Sequence, residues 1–482
     1  MKMGDELLLL VKSYLQQNLS FDEIKDKLSE RGFLDDEIDS TIEKASSSLQ
    51  SAANRENKAL VRFFSMKELF DRIGYGFVSN PFVNILFYQS GASLFLIGLI
   101  NGLRMVLSLV LSSFIKEYTK VHYLKKSFMS NGGLLFGFSF LLMAAARMMH
   151  SPSLFAIALL LGGVGVVTHG ELYMKFLKES LKQEKKGRFL GRIAYYGVLI
   201  TSASMLVSGF IIDKFPASGE IVKWTIMGKQ LPVLGYVISF EITAFAFILS
   251  GYILSFIKEK EVLSSQKMSG FFTEFISRVK LHRRIFFKNK VVLLLTICST
   301  ITGLIQVFGT SYYGLFIYDN FKNDFFGGFL NVSIVFVVAI IASLFGPTIT
   351  RKIQRNIGVS PMLVFGTLLT AMLPLALFFH GNFVALIVAS ALSIVGGSIV
   401  GVGQSLFTRK LLFEEERNIY FSFLGLIISV PMLILVPLMA YLAQVINLIP
   451  LFKIFVFVLC LVVAPLYFLM VLLYERTIHA KV

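Results

Sequence analysis

Cysteine, histidine and tryptophan are scarce: two, six and one in 482 residues. Two cysteines cannot build a disulfide framework, and Cys298 and Cys460 both fall inside apolar runs, where they read as small buried hydrophobes. No histidines pair at metal-ligand spacing, and no HExxH, GxSxG, P-loop or paired intramembrane aspartates occur. An enzyme is therefore not expected, nor a metal or cofactor. Charge is thin as well. Charged residues make up 16% of the chain, against about 25% in soluble domains, and mean hydropathy is +0.72. An ordinary soluble protein is excluded.

Long apolar runs take the place of those residues. A spanning helix needs ~20 mostly apolar residues, and such segments lie near 73–90, 92–115, 128–148, 153–174, 193–212, 232–257, 291–318, 326–350, 361–379, 382–407, 418–446 and 449–473. The first is the weakest, because Gly, Asn and Pro interrupt it. Loops on one side of these spans, with the C-terminal tail, carry 28 Lys/Arg against 6 on the other. By the positive-inside bias both termini are cytoplasmic. The basic loops facing anionic headgroups also account for the net charge of +16 without nucleic acid. The early "LLLLV" at 7–11 is too short, and follows the wrong charges, to be a secretory signal.

The spans repeat. A shift of 230 residues places Tyr88 on Tyr318, Asn101 on Asn331 and His150 on His380, and a shift of 229 places Arg188 on Arg417. A match that preserves sidedness implies two parallel six-helix halves related by an axis along the membrane normal. Two such halves joined by a long basic loop resemble the major facilitator superfamily of secondary transporters, over about residues 59 to 482. The family's loop after helix two usually reads G-x-L-A-D-R-x-G-R-K. Here "SFIKEYTKVHYLKK" keeps Glu117 and the later lysines, and "GPTITRKIQRNIG" keeps Gly346, Arg351, Lys352 and Arg355. The glycine-proline signature of drug antiporters is missing from "GVLITSASMLVSGFIID", as is the helix-four arginine of many proton-coupled members. The resemblance implies a substrate cavity between the halves near mid-membrane, exposed alternately as they rock.

The expected fold is thus an all-α integral membrane protein with twelve transmembrane helices in two parallel-repeat halves, 59–257 and 291–482. They are joined by a basic loop, 258–290, whose "GFFTEFISRVK" reads as an amphipathic helix in the headgroup layer. Ahead of them stand a cytoplasmic three-helix module, 1–50, and a polar linker, 51–58. In the module "SFDE" at 20–23 is a capping box, Gly32 reads as a C-terminal cap, and Leu15, Ile24, Leu28, Phe33, Ile38 and Ile42 face inward. Residues 1–58 carry 8 Lys/Arg and 12 Asp/Glu, so the module suits either a protein partner or a place on the basic inner face.

Function should sit with polar groups that hydrocarbon penalises. In "KELFDRIGYG" Glu68, Arg72 and Tyr75 share a helix face with Asp71 adjacent. Glu-x-x-Asp-Arg is similar to the Glu-x-x-Glu-Arg motif of proton-dependent oligopeptide transporters, which implies a proton-coupling role for Glu68, Asp71 and Arg72; an interfacial ion pair is the alternative. Arg104, in "LINGLRMVLSLVLSSFIKEY", lies too deep for easy snorkelling. It either pairs with Glu241, also near the midplane, or binds an anionic substrate bidentately. Glu171, beside His169, is a further protonation candidate. Asn80, Asn84, Gln306, Thr310, Tyr313 and Gln404 are candidate hydrogen-bonding groups for a polar solute. The reading is a proton-coupled secondary transporter of a small organic solute in the cell membrane. Its rival is a non-transporting receptor or docking protein on the same scaffold.

Overall fold

The computed structural model describes residues 3–16, 19–29, 31, 33, 35–121, 125–181, 183–215, 223–226, 229–257, 268–287 and 289–479. Gly32, expected as a cap, lies outside them. The chain divides into two compact units, Met1–Ser65 with Leu177–Lys186, and Met66–Phe176 with Gly187–Val482.

In the first unit α1 (Met3–Gln16), α2 (Phe21–Ser29) and the start of α3 (Asp35–Phe77) enclose Leu7, Val11, Ile24, Leu28, Ile38 and Ile42. The capping box forms: the Ser20 amide donates to Glu23 Oε2 at 2.8 Å, and the Glu23 amide donates to Ser20 Oγ at 3.3 Å. This hydrogen bond from the Ser20 backbone holds the Glu23 carboxyl below its ordinary range. The polar stretch 51–58, expected as a linker, lies inside α3.

The second unit is helical apart from one hairpin among the described residues. The end of α3 leads to α4 (Asn80–Gln89), α5 (Leu94–Val121), α6 (Lys125–Met148), α7 (Pro152–Gly170), α8 (Tyr173–Ser180) and α9 (Gln183–Lys214). The hairpin β1 (Lys223–Ile226) and β2 (Lys229–Pro232) precedes α10 (Gly235–Ser255). The connection carries α11 (Met268–His282) and α12 (Arg284–Phe287). There follow α13 (Lys290–Phe321), α14 (Gly328–Ser343), α15 (Gly346–Ile357), α16 (Val359–Thr370), α17 (Met372–Phe378), α18 (Phe383–Leu411), α19 (Glu414–Val445), α20 (Leu448–Phe457) and, after a π-helical turn, α21 (Ala464–His479).

Among the described residues ten helices are long and apolar enough to cross a membrane, eleven if α14 and α15, bent by 50°, form one span. The weak first segment is broken between Phe77 and Asn80. Pro81 lacks an amide proton, and in a continuous helix its ring would strike the Phe77 carbonyl, so α3 stops and α4 starts afresh behind Ser79. Close packing in the first half rests on small residues. A Cβ on Gly133 of α6 would stand 2.8 Å from the Gly251 Cα of α10.

The repeat holds at the level of single hydrogen bonds. His150 and His380 both adopt φ 48°. His150 N donates to Arg147 O and His380 N to Leu377 O, each at 3.2 Å; the next residues, Ser151 and Gly381, donate to Ala146 O and Ala376 O, each at 2.9 Å.

At the end of the bundle away from the basic loops the halves are joined directly. Tyr312 Oη donates to Leu94 O at 3.1 Å, and Gln89 Nε2 to Tyr318 Oη at 2.9 Å. The Asp213 carboxylate, closing α9, accepts the Phe329 amide at 3.0 Å and the Leu330 amide at 2.7 Å, at the start of α14. At the basic end α11 packs one face against the bundle. Its Phe275 is buried among Tyr118, Phe286 and Phe423, and Arg278 bonds Glu117 at 3.3 Å and Glu274 at 2.5 Å. Hydrogen bonding to Glu274 raises the Arg278 pKa, so this contact keeps its charge.

Candidate functional site

The break before α4 frees Asn80 from a helix interior and turns it into a cavity of about 390 Å³. Its walls come from both halves: α3 and α4, α5, α6 and α7 on one side, and Val307, Thr310 and Ser311 of α13 on the other. Arg104 of α5 lines it, and its Nη2 donates to Asn80 Oδ1 at 3.0 Å. The room for its stem is made by Gly163 of α7, where a Cβ would lie 2.5 Å from Arg104 Cγ. Behind it Asn101 Nδ2 donates to Asn84 Oδ1 at 2.7 Å, a buried pair that orients both amides. Phe136, Phe140 and Met143 form the apolar wall.

Arg104 does not meet Glu241. Glu241 is exposed on α10 and lines neither this cavity nor the next. Among the described residues no carboxylate lies within 4.0 Å of the Arg104 guanidinium, and no Asp or Glu lines the cavity. The two residues share a depth along their helices, but they point in different directions.

The second half holds a cavity of about 240 Å³ lined by Gln306, Thr310, Tyr313 and Gln404, together with Thr302, Thr367, Ser390 and Ser393. Gln404 Nε2 donates to Tyr467 Oη at 2.6 Å. Thr310 lines both spaces. The seven candidate solute contacts therefore fall into two groups, a cationic one in the first half and a neutral one in the second.

The carboxylates of the first half also separate. Glu68 pairs with Arg72 at 3.3 Å. Glu171 pairs with Lys116 at 2.7 Å, both partly exposed. Asp71 turns the other way, into a buried cluster of four side chains. Lys67 Nζ lies 2.5 Å from its Oδ2, His169 Nε2 lies 3.1 Å from its Oδ1, and Ser250 Oγ donates to Oδ1 at 2.5 Å. Lys67 is 2% exposed, Asp71 5% and His169 not at all. The Tyr173 ring covers the Lys67 ammonium at 3.4 Å, a cation–π contact that helps keep it charged without water. Sequence reasoning passed over Lys67, His169 and Ser250. The i,i+4 spacing of Lys67 and Asp71 was the available signal; His169 and Ser250 arrive from 98 and 179 residues away.

No protein-family model and no curated relative matches the sequence. Solved structures do match. A point variant of the nucleoside transporter NupG superposes with a TM-score of 0.66 at 14% identity, covering 85% of this chain and 99% of that one. The chain has the major facilitator fold. A bacterial homologue of the iron transporter ferroportin, in an inward-facing state, aligns with a TM-score of 0.59 at 14% identity over 86% and 98% of the two chains. The xylose transporter XylE from E. coli, partially occluded and inward open, gives 0.54 at 12% identity over 83% and 96%. In the major facilitator fold found here the larger of these two cavities sits where the two halves meet.

Proposed function

We propose that this protein is a twelve-span secondary transporter that moves a small organic solute bearing an anionic group across the cell membrane by alternating access, coupled to protons. The observation that carries the reading is Arg104: a guanidinium that stays charged in a cavity between the halves, bonded to one neutral amide. A fixed charge there is costly unless something neutralises it, and a carboxylate on the solute is the matching partner. One cation favours a monoanion over a phosphate dianion. The amides of Asn80, Asn84 and Asn101, with Thr310, suit the polar part of the solute, and Phe136 and Phe140 its apolar part. Gln306, Tyr313 and Gln404 extend the contacts into the second half. Glu68, Asp71 and Arg72 handle the proton, with Glu171 and Glu241 as outlying candidates.

With the basic end placed in the cytoplasm, the direct contacts between halves close the outer end, so the arrangement supports an inward-facing state. That the structural neighbours are a nucleoside transporter, a homologue of an iron transporter and a xylose transporter supports transport rather than reception or catalysis.

A thermal-shift screen of purified protein against monocarboxylates, nucleosides and neutral sugars, on wild type and Arg104→Gln, tests the site. A ligand at 100 times its Kd stabilises by ~2.7 kcal/mol. Monocarboxylates are expected to shift wild type and not the variant. Neutral sugars or nucleosides shifting both equally would remove the anion requirement. Counterflow of the labelled hit in proteoliposomes then separates a carrier from a receptor, because a receptor binds without exchanging.

A further inference from the structure

His169 has one proton fixed by its surroundings and one that is not. Its Nδ1 lies 2.8 Å from the Met129 carbonyl oxygen. A carbonyl only accepts, so Nδ1 carries a proton. Nε2 faces the Asp71 carboxylate, 3.1 Å from Oδ1 and 3.3 Å from Oδ2, with Ser250 Oγ at 3.2 Å. With a proton on Nε2 the ring is an imidazolium that donates to Asp71, while the Ser250 hydroxyl donates to Asp71 Oδ1. Without that proton the Nε2 lone pair needs a donor, and the Ser250 hydroxyl supplies one by rotating away from Asp71. The same side chains satisfy both states at the cost of one hydroxyl rotation.

We propose that the Asp71–His169 contact is a binding site for a single exchangeable proton, carried on Nε2 of His169. Its use in transport rests on the reading above; its existence does not. Two neighbours compete over the proton. Asp71 holds it, and Lys67, already on the other carboxylate oxygen, repels it. The remaining groups facing the cluster are accounted for. On α3, Glu68 and Arg72 pair with each other, and Tyr75 lies one turn along. α8 contributes Tyr173, α6 the Met129 carbonyl, and α10 Ser250 and Phe247. Glu171, two residues from His169, is engaged by Lys116.

The proton site also reaches the cavity. The Phe247 ring stands edge-on to His169 at 6.3 Å and edge-on to Tyr75 at 4.9 Å, and Tyr75 lines the cavity. Two rings therefore connect the proton site to the wall facing the solute.

The test is ¹⁵N NMR of the full-length protein, histidine-labelled, in lipid nanodiscs across about pH 5 to 8, with His169→Gln assigning the signals. Nε2 is expected to show one protonation step while Nδ1 keeps its proton. Asp71→Asn should move the step at least about 1 pH unit down, and Lys67→Met a comparable distance up. An Nε2 signal that never changes, or a step indifferent to both substitutions, overturns the proposal. If Asp71→Asn does not fold, the direction of the Lys67→Met shift decides alone. No solute is involved, so a failed transport assay leaves this result standing, and a failed titration leaves the anion site standing.

Discussion

The two halves of the membrane unit share a backbone and differ in charge. After the third helix of each, the residues around His150 and His380 make the same pair of hydrogen bonds at the same lengths. Yet the first half brings Arg104 to the cavity between the halves, with the Asp71 cluster elsewhere in the same half, while the cavity within the second half has amides and hydroxyls as its polar lining. Even the matched asparagines diverge. Asn101 bonds Asn84, whereas Asn331 donates to the carbonyls of Phe321 and Asp324. The repeat persists where turn geometry demands it and lapses where side chains face a cavity. Chemistry and scaffold are thus separable in this chain, and the first half is where substitutions should matter to function.

The largest expected effect is at Arg104. Arg104→Gln should abolish monocarboxylate-dependent stabilisation, ~2.7 kcal/mol at 100 times the Kd, with the unliganded melting temperature kept or raised. The corresponding change in the second half, Gln404→Leu, should weaken binding without abolishing it. Equal losses would end the division of labour between the halves. Next comes packing. Gly133→Ala forces a methyl against the Gly251 backbone and should destabilise by about 1–3 kcal/mol. Gly397→Ala in the second half meets nothing within 4 Å, and should leave stability unchanged or raise it by about 0.5–1 kcal/mol. Thermal melts of the two variants compare the halves directly. Tyr467→Phe, removing the Gln404 contact, should cost about 0.5–1.5 kcal/mol.

The smallest effect lies in the first unit, outside the repeat. Because folding holds the Glu23 carboxyl low, its contribution is present above the ordinary carboxylate range. It is lost as pH falls through the lower folded value. Glu23→Gln should flatten that acid limb in circular dichroism and leave neutral-pH transport untouched.

Much of this was legible in the residues. Glycine, asparagine and proline marked the first segment as interrupted, and it breaks between Phe77 and Asn80, just ahead of Pro81. The offset of 230 found both histidine turns. The depth of Arg104 set it apart as needing a partner or a cavity, and it lines the cavity between the halves. What stayed hidden was direction around the helix axis. Helices such as α7 and α10 are apolar on every side and carry no face signal, so depth alone suggested Glu241 as a partner for Arg104 and gave no hint that His169 meets Asp71. Lys67 stands at i,i+4 from Asp71, but Glu68 and Arg72 share that spacing, and spacing alone does not say which pair is buried.

The Asp213 carboxylate that accepts two amides at the head of α14 has a consequence for the proposed cycle. A helix start has amides with no partner of their own, and here a residue of the opposite half supplies it. Parting the halves at that end strips two amides and one carboxylate of their partners in a single movement, and only water can replace them. Parting the halves there is therefore a wetting event, slowed by whatever keeps that rim dry and eased by whatever hydrates it.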